Sequence, residues 1–271
     1  MTAPFLPFTR PAIDAESIAA VADVFRSGQL ASGPKVQLFE AALAAYLGSG
    51  RQVRVMTSAT AGLEMALEVA GIGEGDEVIV PAMSFAASAN VVARVRAKPV
   101  FVDIELRSRN INVELIEAAI GPRTRAIMPV HFSGLAVDMD AVQSIAAKHG
   151  LRIIEDAAHA IGTRYRGKLI GSFGDLTVFS FHPNKNMTSI EGGAIATGDE
   201  RAARLLEQYR FHGIQRNAEG EIDVLFPGGK SNLSDVAAQI GIDQLGRLDG
   251  FNQRRRTLAE HYFGELEGFA G

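Results

Sequence analysis

The stretch DLTVFSFHPNKNMTSIEGGAIAT, residues 175–197, decides how the rest of the chain is read. Residues 176–179 are a short apolar run with the composition of a buried strand, and residues 193–197 are a second. A polar loop joins them. It carries one lysine, Lys185, between Asn184 and Asn186, and closes on Glu191, Gly192 and Gly193. Glycines at the close of a loop let backbone come near a bound group. A lysine fixed between two strands presents its amine for Schiff-base chemistry. The competing reading of such a lysine is a solvated side chain in a hairpin, and the surrounding sequence has to separate the two.

Upstream, strand-like runs recur at 53–56, 78–80, 100–102, 126–130 and 151–154. Helical patterns separate them. Asp14 can cap a helix whose apolar positions Ile18, Val21 and Phe25 share a face and which ends at Gly28. Pro34 suits the first position of a second helix, with Leu38, Phe39, Ala42, Leu43, Tyr46 and Leu47 as its stripe and Gly48 as its stop. Another runs over 137–148 before Gly150. Short apolar strands alternating with helices predict an α/β fold: a mostly parallel sheet flanked by helices on both faces. Beyond Asp199 the pattern turns helical, with Leu205, Leu206 and Tyr209 on one side. A polar Gly/Pro-rich connector is expected over 213–229, then two separate helical segments around 236–245 and 254–266.

The composition narrows the function. The 271 residues are 47% hydrophobic, as in a globular, well-buried chain, and include no cysteine, which excludes disulfides, thiolate metal sites and cysteine nucleophiles. No run approaches the length of a membrane helix and the N-terminus lacks a signal-peptide pattern, so a cytoplasmic location is expected. A formal charge of −4 leaves no footprint for nucleic acid. The cluster Arg254, Arg255 and Arg256 reads as a solvated helix face.

Three further stretches could carry chemistry. Ile153-Ile154-Glu155-Asp156-Ala157-Ala158-His159 places carboxylates at the carboxyl end of a strand, where α/β sheets bind ligands. An aspartate there can hold a proton on a pyridine nitrogen; alone, Asp156 would read as a helix cap. Glu155 and His159 have a spacing open to metal ligation, but no third ligand lies near them, and no metal is expected. Thr57-Ser58-Ala59-Thr60 lies between a strand and a helix, where hydroxyls and free N–H groups bind phosphate or simply cap. Ser180 could add a hydroxyl. Phe85, after strand 78–80, could cover a flat ring or pack in the core. The glycines of 71–75 follow a helix and precede a strand, the reverse of a dinucleotide fingerprint, and read as a turn.

In order, these features are a phosphate-type turn, an aromatic, Asp-x-x-His after a strand, and Ser-Phe-His-Pro-x-Lys-Asn followed by Glu-Gly-Gly. That order resembles the DegT/StrS-type nucleotide-sugar aminotransferases, from about Phe5 to the end. Within that group it is most similar to the UDP-4-amino-4-deoxy-L-arabinose branch, which has a tryptophan where Phe85 stands. The resemblance implies a PLP-dependent transferase of fold type I with pyridoxal 5'-phosphate as cofactor. It implies Lys185 as the lysine that carries it, Asp156 as partner of the ring nitrogen, Phe85 against the ring and His159 beside it. Thr57, Ser58, Ala59, Thr60 and Ser180 would hold the phosphate. Asn232 would reach the phosphate of a neighbouring subunit, in a homodimer with shared active sites.

The resemblance further implies a large cofactor domain with its N-terminal arm over 1–249, and over 250–271 the start of a small C-terminal domain that is largely absent. The implied reaction moves an amino group from an amino acid, glutamate, to a keto group of a nucleotide-linked sugar, within polysaccharide or lipopolysaccharide biosynthesis. The rival readings are a PLP-binding relative with weak turnover or a regulatory role, and a sugar dehydratase of the same family, although dehydratases replace the lysine with histidine.

Overall fold

The computed structural model describes residues 5, 7–48, 50–217 and 219–269. In chain order the elements are α1 (Ala15–Ser27), α2 (Pro34–Leu47), β1 (Gln52–Met56), α3 (Ala59–Val69), β2 (Glu77–Pro81), α4 (Ala86–Arg94) and β3 (Lys98–Val102). There follow β4 (Thr124–Ile127), α5 (Met139–His149), β5 (Arg152–Asp156), β6 (Arg164–Tyr165), β7 (Lys168–Leu169), β8 (Leu176–Ser180) and β9 (Gly193–Thr197). The last are α6 (Glu200–Tyr209), β10 (Ile214–Arg216), β11 (Ile222–Val224) and α7 (Asp235–Glu265).

Seven strands form the central sheet in the order β1-β9-β8-β5-β4-β2-β3. From β3 to β8 every pairing is parallel, while β9 runs antiparallel to both β8 and β1. Two reversals restore direction, so β1 points the same way as β8. The carboxyl ends of β1, β2, β4, β5 and β8 therefore meet at one edge, where open α/β sheets bind ligands. Side-chain alternation fills both faces. Ile79, Ile127, Ile153 and Phe179 join the core on one face, with α2, α5 and α7. Their neighbours Val78, Ala126, Ile154 and Val178 join the other, with α3, α4 and α6. The α/β architecture expected from the sequence is the one observed.

Local signals explain several boundaries. Asp14 caps α1 by accepting from the Ser17 N–H at 2.9 Å, and Gly28 closes it at φ +72. Pro34 occupies the first turn of α2. That helix takes its N-terminal carboxylate from far away. The buried Asp235, at the start of α7, accepts from the N–H groups of Gly33, Lys35 and Val36 at 2.7, 3.2 and 3.4 Å. A side chain on Gly33 would collide with that carboxylate.

Other expectations are revised. The two helical segments at 236–245 and 254–266 are one 31-residue helix, α7. The stretch 246–253 between them, with Gly246 and Gly250, stays helical, and Gly241 within the first segment leaves room for the ring of Phe39. The connector at 213–229 contains the β10–β11 hairpin, paired from Ile214–Val224 to Arg216–Ile222. On α1 the buried residues are Ser17 and Val24, while Ile18 and Phe25 are 62% and 59% exposed, because α1 turns its other side to α7. Helix α4 lies where a helical pattern is expected between the strands at 78–80 and 100–102, and it buries Ser88, Val91 and Val92.

Candidate active site

A cleft of about 340 Å³ opens at the carboxyl edge of the sheet, lined in part by Ser58, Phe85, Asp156, His159, Ser180 and Lys185. Ala59 and Thr60 line it as well. Eight of the ten residues expected at a cofactor thus share one cavity, although they span positions 58 to 185. Thr57 and Asn232 lie outside that lining. Thr57 is exposed and its N–H donates to the Ser231 carbonyl at 2.8 Å. Asn232 bridges to Met56 and lines a separate cleft of about 890 Å³ with Glu40, Arg210 and the β10–β11 hairpin.

Each wall follows from its element. Ser58 caps α3, its oxygen accepting from the Ala61 N–H at 3.1 Å, so the first-turn amides, which have no intrahelical acceptor, open at the cleft. Gly193, at the start of β9, passes so close to the Ser58–Ala59 peptide that a Cβ would lie 2.5 Å from the Ala59 nitrogen. No other residue type fits there.

Asp156 ends β5, 5% exposed. One oxygen accepts from the Ser88 hydroxyl at 2.7 Å and the other from the Ala158 N–H at 3.2 Å. No helix follows it, so the capping reading fails; residues 157–160 make a turn that leaves His159 half-buried in the cleft. Lys185 sits in a turn closed by its own N–H on the His182 carbonyl at 2.9 Å. Two bonds tie the loop to α7: the Asn186 amide donates to Asn252 at 3.0 Å, and Arg255 donates to the Asn186 carbonyl at 3.0 Å. Burial holds the Lys185 amine below its ordinary proton affinity, against the pull of Asp156. Burial, and then the Lys185 charge, likewise lower the proton affinity of His159.

Glu155 is not part of this cavity. It is fully buried and accepts from His131 Nε2 at 3.1 Å and from the Thr177 hydroxyl at 2.9 Å. Among the described residues no group of three or more His, Cys, Asp or Glu side chains gathers to hold a metal ion, and no helix is long and apolar enough to cross a membrane.

Residues 11–271 match the DegT/DnrJ/EryC1/StrS aminotransferase family. The chain belongs to that family. The aminotransferase is also similar to solved structures. With S. venezuelae DesV, solved in complex with a ketimine intermediate, it shares 40% identity at a TM-score of 0.90, over 95% of this chain and 68% of that one. With Helicobacter pylori PseC, an aminotransferase involved in the biosynthesis of pseudoaminic acid, the values are 32%, 0.92, 97% and 71%. With Spr1654 of Streptococcus pneumoniae in its PLP form they are 34%, 0.91, 97% and 72%.

The cofactor of this aminotransferase is pyridoxal 5'-phosphate, and the cleft fits it. An amine of lowered proton affinity suits an aldehyde, a buried carboxylate with spare lone pairs suits a pyridine nitrogen, and a helix N-terminus pressed against a required glycine suits a phosphate. Sequence reading passed over Ser84, Ser88 and His131. The first two are four apart, the spacing that brings side chains to one side of a helix, and that was the one signal available.

Proposed function

We propose that this aminotransferase moves an amino group from glutamate to the keto group of a nucleotide-linked sugar, in the cytoplasm, within polysaccharide or lipopolysaccharide biosynthesis. The observation carrying the reading is the pairing, in one cleft, of a half-buried lysine amine with a buried, hydrogen-bonded aspartate. Pyridoxal phosphate, when bound, supplies a ring that withdraws electrons from the reacting carbon.

The chain supplies the rest. Asp156 keeps a proton on the ring nitrogen. Lys185 would hold the cofactor through its amine and would serve as the proton-transfer base; burial leaves more of that amine unprotonated and able to act as base. His159, kept neutral by burial, adjoins the ring without adding charge. Phe85, 79% exposed on the cleft, covers a ring face. Thr57, Ser58, Ala59, Thr60 and Ser180 hold the phosphate. Kinship with PseC supports a sugar acceptor.

The working unit is a homodimer in which Asn232 reaches the partner's phosphate. Exposed Ile18 and Phe25 on α1 and Leu38 on α2 support such a face, as does the position of Asn232 outside its own chain's cleft. Residues 1–249 form the cofactor domain and 250–271 begin a smaller one; α7 crosses that boundary and carries Leu258, Tyr262 and Leu266 exposed on its distal half.

The test is product mass spectrometry with glutamate and a panel of nucleotide-linked keto-sugars, UDP-linked pentoses included. Borohydride reduction and peptide mapping accompany it. The expected outcome is an aminated nucleotide sugar, stoichiometric 2-oxoglutarate and the adduct on Lys185. Amination of free keto-sugars alone, or an adduct on another lysine, would overturn the reading.

A further inference from the structure

Behind Asp156 lies a line of hydroxyls that the proposed reaction has not used. Ser84 Oγ is 2.7 Å from Ser88 Oγ, and Ser88 Oγ is 2.7 Å from Asp156 Oδ2. Ser88 is 1% exposed, while Ser84 lines the cleft. The directions follow from the chemistry. An ionised carboxylate only accepts, so the Ser88 hydroxyl donates to Asp156. Its single proton thus spent, Ser88 can only accept from Ser84. The result is a one-way chain, Ser84 to Ser88 to Asp156, each bond polarising the next. The Ala158 N–H fixes the other carboxylate oxygen, and the lone pairs left over face the cleft.

We infer that Ser88, backed by Ser84, is a positioning residue that keeps Asp156 ionised and turned toward the cofactor's ring nitrogen. A hydroxyl donating to a carboxylate favours its charged form. Without it the proton shared between the Asp156 oxygen and the ring nitrogen shifts toward oxygen, leaving a neutral acid beside a neutral ring. The serine at the third position of α4 is thereby tied to the electronics of a ring it does not touch. The inference rests on the proposed partnership of Asp156 with that nitrogen.

The experiment uses full-length protein loaded with pyridoxal phosphate labelled at the ring nitrogen. Nitrogen NMR reads that atom's protonation across pH, and stopped-flow reads the half-reaction with glutamate. Wild type should give a pyridinium signal. Ser88→Val, which keeps the volume of Ser88→Thr but removes the hydroxyl, should move the signal toward neutral pyridine and slow the half-reaction about tenfold, the worth of one charge-assisted hydrogen bond. The KM for glutamate should stay unchanged. Ser88→Thr should restore both readouts. Ser84→Ala, away from the packed core, should shift both in the same direction by about two- to threefold, and it serves if Ser88→Val does not fold. A wild-type signal and rate in Ser88→Val, or in Ser84→Ala should the former be unobtainable, overturns the inference. A neutral ring already in the wild type would instead overturn the role of Asp156 in the proposed function.

Discussion

Glu155 and Asp156 are adjacent carboxylates on one strand, both nearly sealed from water, and they do different work. Alternation sends them to opposite faces of the sheet. Glu155 meets His131 and Thr177; His131 Nδ1 in turn accepts the Val137 N–H at 3.1 Å, so its proton lies on Nε2 and is given to Glu155. Every partner there is protein. Asp156 meets Ser88 and Ala158 and then an open cavity. Burial alone therefore does not mark a functional carboxylate; acceptor capacity left over beside a space does.

Exchanging the two fates should fail in opposite ways. Asp156→Ala should keep the fold and lower turnover at least about a hundredfold, since each 1.36 kcal/mol of lost transition-state stabilisation is tenfold in rate. Steady-state kinetics beside a melting curve check it, and near-wild-type half-reaction rates with glutamate would assign Asp156 another task. Glu155→Gln should show the reverse pattern. It disturbs a satisfied buried network and should lower folding stability by about 1–3 kcal/mol, while the folded enzyme keeps its kcat. Urea unfolding and active-site-normalised rates separate the two.

The titrating groups sharpen the contrast, because on the cleft side charge is disfavoured without full compensation. Burial lowers the proton affinity of Lys185 from its ordinary 10.5. Between the folded value and 10.5 the unfolded chain binds more protons, so the apoprotein should gain stability as pH rises through that window. His159, lowered from 6.5 by burial and by Lys185, should act likewise below 6.5. Unfolding of the apoprotein across pH should show both slopes; Lys185→Met should flatten the alkaline one and His159→Gln the acidic one, each by a fraction of a kcal/mol to about 1 kcal/mol for half-buried groups.

The least direct test sets the cleft against the distant Asn232. Mixing Lys185→Ala with Asn232→Ala should give heterodimers more active than either parent, read by turnover once heterodimers are shown to form. No gain over the parents would remove the in-trans role.

Much of this arrangement was legible in the sequence. The strands around the cleft are short β-branched runs ended by turn residues, and the lysine loop and Asp156 announce themselves by type and order. The unread parts depend on tertiary contact. Ser88 has the composition of an ordinary helix serine, and only the return of β5 beside α4 gives its hydroxyl a carboxylate. The face of α1 was misjudged because Val24, and not Ile18 or Phe25, meets the core. The unity of α7 was missed because Gly246 and Gly250, in the stretch between the two expected segments, look in sequence like residues that end a helix, yet both stay helical.

The bond from Asp235 to the start of α2 has a consequence for how the chain comes off the ribosome. More than two hundred residues separate Gly33 from the carboxylate that satisfies its amide, and α1 and α2 both pack on α7. The first two helices made are thus among the last to find their places. During synthesis, Phe39 and Leu43, later sealed in the core, wait on a nascent chain whose sheet is still accumulating strands.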